Sequence, residues 1–202
     1  MINILNIADT IGIASFALSG FLIAVRKELD LLGVTLFAFL TALGGGIIRD
    51  IIINKTPTSL QDSMPSLIVI GVVILAKLSG IAKKTKPERF KVFIFSDAMG
   101  LVSFSITGAL VGISEELNFF GTVILSLSTA IGGGVIRDIL INEVPLILNS
   151  GFYATVSVII SSILFLAEYF GFLNPITISV VFAFGLFLRL FAYYKQWNLP
   201  TI

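Results

Sequence analysis

The sequence contains neither cysteine nor histidine among its 202 residues. Without cysteine there is no disulfide, thiol nucleophile or thiolate metal ligand. Without histidine, the commonest metal ligand and the acid–base group that titrates nearest neutral pH are both missing. The remaining residues form no apparent nucleophile–base pair or metal-ligand cluster. The sequence therefore predicts a protein that is not an enzyme and that carries no cofactor or resident metal.

Charge is scarce as well, because aspartate, glutamate, lysine and arginine together make up only 12% of the chain. A soluble domain carries about twice that fraction. The chain is 56% hydrophobic and its mean hydropathy is +1.05, more apolar surface than a water-soluble fold of this size could hide. A formal net charge of +1 provides no basic field for nucleic acid. We therefore expect an integral membrane protein with no nucleic-acid partner.

Seven apolar stretches approach the roughly 20 residues that a helix needs to cross a bilayer. They span residues 7–25, 31–53, 65–81, 92–113, 119–141, 152–170 and 175–194. The connections between them are too short for a soluble domain. The predicted fold is therefore an all-α integral membrane protein with seven transmembrane helices in a single domain, residues 1–202.

An internal repeat organises most of these helices. A shift of 88 residues aligns Gly44-Gly45-Gly46 with Gly132-Gly133-Gly134, and Arg49-Asp50 with Arg137-Asp138. The same shift aligns Asp9 with Asp97. The repeats extend over approximately residues 7–82 and 92–170, and a seventh helix, residues 175–194, lies outside them. Because each repeat has three helices, the second copy enters the membrane from the opposite side, which predicts an inverted repeat.

The cations of the short loops predict the orientation in the plasma membrane. Lys55 is the only loop cation on the side that holds the N-terminus. The other side holds Arg26, Lys27, Lys83, Lys84, Lys86, Arg89, Lys91 and Lys195. We therefore expect the N-terminus outside and the C-terminus in the cytoplasm. The basic loop 83–91 enforces this topology, and contact with anionic lipid headgroups is a further possibility.

The two glycine triplets, residues 44–46 and 132–134, lie inside apolar spans, where each glycine costs about 1 kcal/mol relative to alanine. One interpretation is close helix packing, which small residues permit in membranes. The other is a kink or local unwinding that shapes a polar path. Because the motif is used twice, with Arg-Asp three residues further on, the second interpretation is favoured.

The intramembrane charges are Asp9, Arg49, Asp50, Asp97, Arg137 and Asp138. Adjacent residues point about 100° apart on a helix, so neither Arg-Asp pair is expected to neutralise itself. The arginines either snorkel to the interface or join a charge network between the repeats, and the sequence does not choose their partners. Candidate hydroxyls for a pore lining are Ser15, Ser19, Ser103, Thr107, Ser126, Ser128 and Thr129.

Two three-helix units, each ending in Gly-Gly-Gly-x-x-Arg-Asp, together with a seventh helix resemble the prokaryotic TRIC (trimeric intracellular cation) channels. The resemblance covers essentially the whole chain. It implies a homotrimer with a pore in each protomer, permeation of potassium and also sodium, and a pore shaped by helices 2 and 5. In animal relatives a basic residue near the second triplet helps to bind a phosphoinositide. Here Val135 follows the triplet and the nearest cation is Arg137, so the resemblance does not imply lipid regulation of that kind.

A cation channel is the leading functional hypothesis, since hydroxyls, carbonyls and a few carboxylates suit a weakly held monovalent cation. A secondary transporter of a small zwitterion such as glycine is the alternative, because inverted repeats and paired charges fit it equally well. Asp9, Ser15 and Ser19 lie close to one face of the first helix, a polar stripe that a membrane scaffold without transport would not need.

Overall fold

Nine α-helices form the protein over residues 2–83, 86–149 and 152–197, which the computed structural model describes. They are α1 (Ile2–Arg26), α2 (Leu31–Ile52), α3 (Thr58–Gln61), α4 (Met64–Leu78), α5 (Lys86–Ser114), α6 (Phe119–Leu140), α7 (Leu146–Asn149), α8 (Ala154–Tyr169) and α9 (Pro175–Tyr194). A short 3₁₀ turn, Ile81–Lys83, follows α4. No strand occurs in these described ranges, which agrees with the predicted all-α class.

Five of the helices are long and apolar enough to cross a membrane, namely α1, α2, α5, α6 and α9. Helices α4 and α8, the third long helix of each predicted repeat, have 15 and 16 residues. At 1.5 Å per residue they are shorter than the roughly 30 Å hydrocarbon core. The coarse prediction of an all-helical membrane protein is confirmed, whereas the count of seven spans depends on these two short helices.

Local structure repeats with the same 88-residue spacing as the sequence. Asp30 caps α2 by accepting a hydrogen bond from the Gly33 backbone N–H, and Asn118 caps α6 in the same way. Asn54 and Asn142 both adopt a φ of 56° where the chain leaves these helices. Each helix is followed by a four-residue helix, α3 or α7. The two halves therefore share helix starts, helix ends and connections.

Helix α5 is the most buried of the long helices and packs on α1, α6, α8 and α9. Close crossings at glycines bring α1 and α5 together. Gly12 lies against the Phe104 ring, Gly100 lies against the Phe16 ring, and the two rings meet edge to face at 5.3 Å. Helices α2 and α6 pack on each other, and α9 packs on α5 and α8. The interior between the repeats is thus formed by α1, α2, α5 and α6.

Candidate ion path

The middle glycine of each triplet brings α2 and α6 into backbone contact. A Cβ atom on Gly45 would overlap the carbonyl oxygen of Thr129, and one on Gly133 would overlap that of Thr41. A side chain at either position would therefore push the helices apart. The packing interpretation is correct for these two glycines.

The third glycine of each triplet has a different environment. The nearest atom to a Cβ on Gly46 would be Arg49 Nη2, at 3.9 Å, and on Gly134 it would be Tyr153 Oη, at 3.5 Å. Both positions thus open toward buried polar groups. Helices α2 and α6 remain α-helical through both triplets, so local unwinding is not what these glycines produce. A kink stays a prediction.

A buried cluster of charges, which we call the α2 half-site, comprises Asp9, Arg49, Asp50 and Thr58. Arg49 Nη1 donates to Asp9 Oδ1 at 3.1 Å, and Arg49 Nε donates to Asp50 Oδ1 at 2.8 Å. The second Asp50 oxygen accepts from the Thr58 backbone N–H at 2.8 Å and from its hydroxyl at 3.1 Å. Asp50 thereby fixes the start of α3, while Asp9 keeps 20% of its side chain exposed.

The α6 half-site comprises the equivalent residues Asp97, Arg137, Asp138 and Leu146. Arg137 Nη1 donates to Asp97 Oδ1 at 2.6 Å, and Arg137 Nε donates to Asp138 Oδ1 at 2.8 Å. The Leu146 backbone N–H donates to Asp138 Oδ2 at 2.9 Å. Arg137 also donates to Ser19 Oγ at 2.6 Å, and its side chain is 0% exposed. Both half-sites therefore place one guanidinium against two carboxylates.

Three expectations about these charges are corrected by this geometry. The adjacent Arg-Asp pairs do form ion pairs, because each arginine side chain folds back toward the following residue. Snorkelling is wrong for both arginines, since Arg49 and Arg137 are buried in protein. The ion pairs of Arg49 and Arg137 are formed within each predicted repeat rather than between repeats. The contact of Arg137 with Ser19 is the hydrogen bond that joins the two halves here.

The candidate hydroxyls divide into those that join a half-site and those that do not. Ser19 alone among them bonds to one of these charges in the described part of the chain. Thr107 and Thr129 donate to carbonyls of their own helices, and Ser126 donates to Ser105 O at 2.7 Å. Ser15 and Ser128 are half-buried, and Ser103 is buried without a hydrogen-bond partner in the described ranges. Three of these hydroxyls, those of Thr107, Ser126 and Thr129, are thus satisfied by backbone carbonyls.

Space is distributed unequally between the half-sites. The α2 half-site borders a cavity of about 20 Å³, lined by Asp9, Gly46, Arg49, Asp50 and Ser59 among others. A cavity of that size holds about one water molecule. The corresponding space beside Gly134 and Asp138 has no room for a water. Tyr153 lines that closed space and is buried.

Four contributing residues lie outside the sequence prediction: Thr58, Ser59, Tyr153 and Arg189. The guanidinium of Arg189 stacks over the Tyr153 ring at 4.6 Å. Arg189 is the only charged residue of α9, and an intramembrane charge is itself a signal. Thr58 and Ser59 follow Asp50 by eight and nine positions, in a segment predicted to be a loop. Nothing in the local sequence marks Tyr153.

Ion pairs also join the loops at both ends of the molecule. Arg26 and Lys27 contact Glu143 at 2.6 and 3.0 Å, and Lys55 pairs with Glu115. The 88-residue shift relates Lys27 to Glu115 and Lys55 to Glu143. The Lys27–Glu143 pair at one end of the molecule therefore corresponds to the Glu115–Lys55 pair at the other end, with the two charges exchanged. Partial burial alone would raise the pKa of Glu143, but hydrogen bonds from Lys27 and Arg26 lower it overall.

Long apolar helices around buried, paired intramembrane charges define a polytopic membrane protein of the kind that moves small polar solutes or ions. The family model described as "Glycine transporter" matches residues 6–79 and 94–169. The chain belongs to this family.

Two curated relatives are UPF0126 membrane proteins. One, from Deinococcus radiodurans, is 38% identical over 139 residues, which are 68% of this chain and 63% of that protein. The chain thus spans less than two thirds of that relative's length. The other, YvgT of Bacillus subtilis, is 31% identical over 97% of this chain and 95% of that protein.

Solved structures of TRIC channels share the fold. One, described by "Structural basis for conductance through TRIC cation channels", has a TM-score of 0.84 and 40% identity over 98% of this chain and 96% of that chain. A prokaryotic TRIC channel in 0.5 M KCl has a TM-score of 0.90 and 30% identity, over 98% of this chain and 100% of that chain. The TRIC trimeric intracellular cation channel orthologue from Rhodobacter sphaeroides has a TM-score of 0.87 and 27% sequence identity, over 96% of this chain and 98% of that chain. The resemblance to prokaryotic TRIC channels is confirmed.

Proposed function

We propose that this protein is a channel for monovalent cations, chiefly potassium and also sodium, with a pore inside each protomer. The observation that carries the proposal is the pair of buried half-sites. Each sets one arginine against two aspartates, leaving a formal charge of −1 inside the membrane domain. An excess carboxylate attracts a cation, and the fixed guanidinium keeps that attraction weak enough for release.

The proposed path runs between the repeats, past Gly46 and Gly134, from one half-site to the other. These glycines border the half-sites without a side chain of their own. The hydroxyls of Thr58 and Ser59 add oxygen ligands beside the α2 half-site. Such oxygens suit a partly hydrated monovalent cation, which requires no fixed cage.

The wider architecture belongs to the same proposal. Helices α4 and α8 complete two inverted three-helix repeats, approximately residues 7–82 and 92–170, and α9 is the seventh span. The N-terminus lies outside and the C-terminus in the cytoplasm of the plasma membrane. The protein assembles as a homotrimer, supported by the trimeric orthologue from Rhodobacter sphaeroides. The basic loop 83–91, whose side chains up to residue 89 lie outside the described part of the structure, contacts anionic headgroups.

Transport of glycine is the second candidate, because the matching family model carries that description. An arginine could hold the carboxylate of a zwitterion and an aspartate its ammonium group. The solved structures that share the fold at 27–40% identity are described as cation channels, which favours the channel over the transporter. The cation channel is therefore the better-supported function.

Purified protein in a planar bilayer with potassium chloride on both sides tests the choice. The channel predicts discrete unitary currents. In parallel, proteoliposomes are assayed for glycine uptake, which the channel predicts to be at background. Saturable glycine uptake without unitary currents would show that the transporter is the correct function.

A further inference from the structure

Equivalent positions around the two half-sites carry side chains of opposite character. Beside the α2 half-site the lining includes Thr58, Ser59 and Pro65. The 88-residue shift places Leu146, Ile147 and Tyr153 at these positions beside the α6 half-site. Two hydroxyls and a compact ring are thus replaced by two aliphatic chains and a large aromatic ring. The two linings share the third glycine and the second aspartate, Gly46 and Asp50 on one side and Gly134 and Asp138 on the other, whereas Asp9 and Arg49 line the first cavity and their counterparts do not line the second space.

The difference in side chains accounts for the difference in space. The cavity of about 20 Å³ is present only where the small and polar set lies, among the two linings compared. Beside the α6 half-site, the Tyr153 hydroxyl lies 3.5 Å from where a Cβ on Gly134 would be. The Tyr153 hydroxyl thus occupies space beside Gly134, whereas beside Gly46 the one atom within 4 Å of a Cβ, among the described residues, is Arg49 Nη2.

A residue outside both repeats holds Tyr153 in this position. Arg189 of α9 is buried, and its guanidinium lies 4.6 Å from the centre of the Tyr153 ring. Helix α9 packs on α5 and α8, the helices of the second half. The cation–π contact therefore acts on one half-site only, and a desolvated contact of this kind is among the stronger ones.

We propose that Tyr153, together with Leu146 and Ile147, forms the closed gate of the path, and that Arg189 latches it. This inference rests on the proposed function. An aliphatic and aromatic constriction excludes water, and a cation without water or ligands cannot pass it. If the Tyr153 ring moved away from Gly134, a cavity would form beside the α6 half-site like the one beside the α2 half-site.

Unitary potassium currents from two variants test the gate. Tyr153→Val removes the ring, and Ile147→Ser gives the α6 half-site the residue of its counterpart, so a failure of one to fold leaves the other. We expect each variant to raise the open probability by about tenfold, because an open state that is populated about one tenth of the time in the wild type would become the dominant state. Leu148→Thr is the matched control, because Leu148 is adjacent but exposed on the outside of the molecule. Unchanged open probability in assembled variants would overturn the gate.

Silver ion gives a second readout that needs no current. The chain has no cysteine, so single cysteines can be placed at will. A thiolate binds this soft monovalent cation tightly. Ser59→Cys should react about tenfold faster than Ile147→Cys, and adding Tyr153→Val to the latter should remove the difference. At each reaction time the protein is unfolded, and the cysteines that have not yet bound silver are counted with a maleimide.

The two experiments separate the gate from the channel. If wild-type protein and all variants lack currents but the silver rates differ as expected, the closure is supported and the channel is not. If the wild type conducts and the silver rates of Ser59→Cys and Ile147→Cys are equal, the channel stands and the gate is wrong.

Discussion

Arg49 and Arg137 occupy equivalent positions, yet their surroundings make them unequal. Arg137 is fully enclosed, bonds to Ser19 in the other repeat and lies 5.0 Å from the Phe93 ring. Arg49 is paired with an aspartate that remains partly exposed beside a cavity. A charge in a closed site is stabilised only by its protein partners, whereas a charge that water can reach is also stabilised by hydration.

Removal of the two arginines should therefore cost different amounts of stability. Arg137→Ala leaves Asp97 and Asp138 buried without a counter-charge, and we expect a loss of about 3–5 kcal/mol. Arg49→Ala should cost clearly less, because water in the adjacent cavity can solvate Asp9. Unfolding titrations in detergent, monitored by circular dichroism, provide the comparison. Equal losses would contradict the assignment of one open and one closed half-site.

Glu143 provides a pH-dependent contact outside the membrane spans. Its pKa lies below the ordinary 4.5 because Lys27 and Arg26 donate to it. A lowered folded-state pKa contributes stability above pH 4.5, and this contribution is lost as the pH falls through the lowered value. Thermal melting in detergent from pH 6 to about pH 3 should show that loss. Glu143→Gln is the control, and a wild-type profile identical to it would refute this contribution.

Helix positions were largely predictable from the sequence, because apolar runs and their caps are local features. The predicted stretches 31–53 and 119–141 match α2 and α6 to within a residue at each end. The short helices α3 and α7 were not predicted, since they start from hydrogen bonds to Asp50 and Asp138 that no local pattern reveals. The charged members of the site were visible as intramembrane charges, but their pairing depends on how the helices pack. The position of Tyr153 depends on its contact with Arg189 of α9, a helix that lies outside the repeats.

Glycines within α2 and α4 should respond in opposite ways to alanine. Gly45→Ala places a methyl group against the Thr129 carbonyl, and overpacking of this kind costs about 1–3 kcal/mol. Gly71 of α4 has nothing within 4 Å of a Cβ, so Gly71→Ala should be neutral or should stabilise by up to about 1 kcal/mol. Melting temperatures of the two variants in the same detergent make the test. A tolerated Gly45→Ala would mean that α2 and α6 are not in backbone contact.

At the scale of the whole molecule, the loop cations predict an orientation that can be measured directly. A reporter that is active only in the cytoplasm, fused after the last residue, should be active, and one that is active only outside should be silent. Seven spans put the two ends on opposite sides of the membrane, whereas an even number would put both ends on the same side. A C-terminal reporter active outside the cell would refute the seven-span orientation.

Both half-sites carry excess negative charge, so the complete path should select for cations over anions. The most direct measurement of this central claim is the reversal potential of unitary currents from purified wild-type protein under a potassium chloride gradient across a planar bilayer. A cation-selective path predicts discrete currents that reverse close to the equilibrium potential of potassium. Currents that reverse close to the equilibrium potential of chloride, or a bilayer that stays silent with correctly assembled protein, would contradict it.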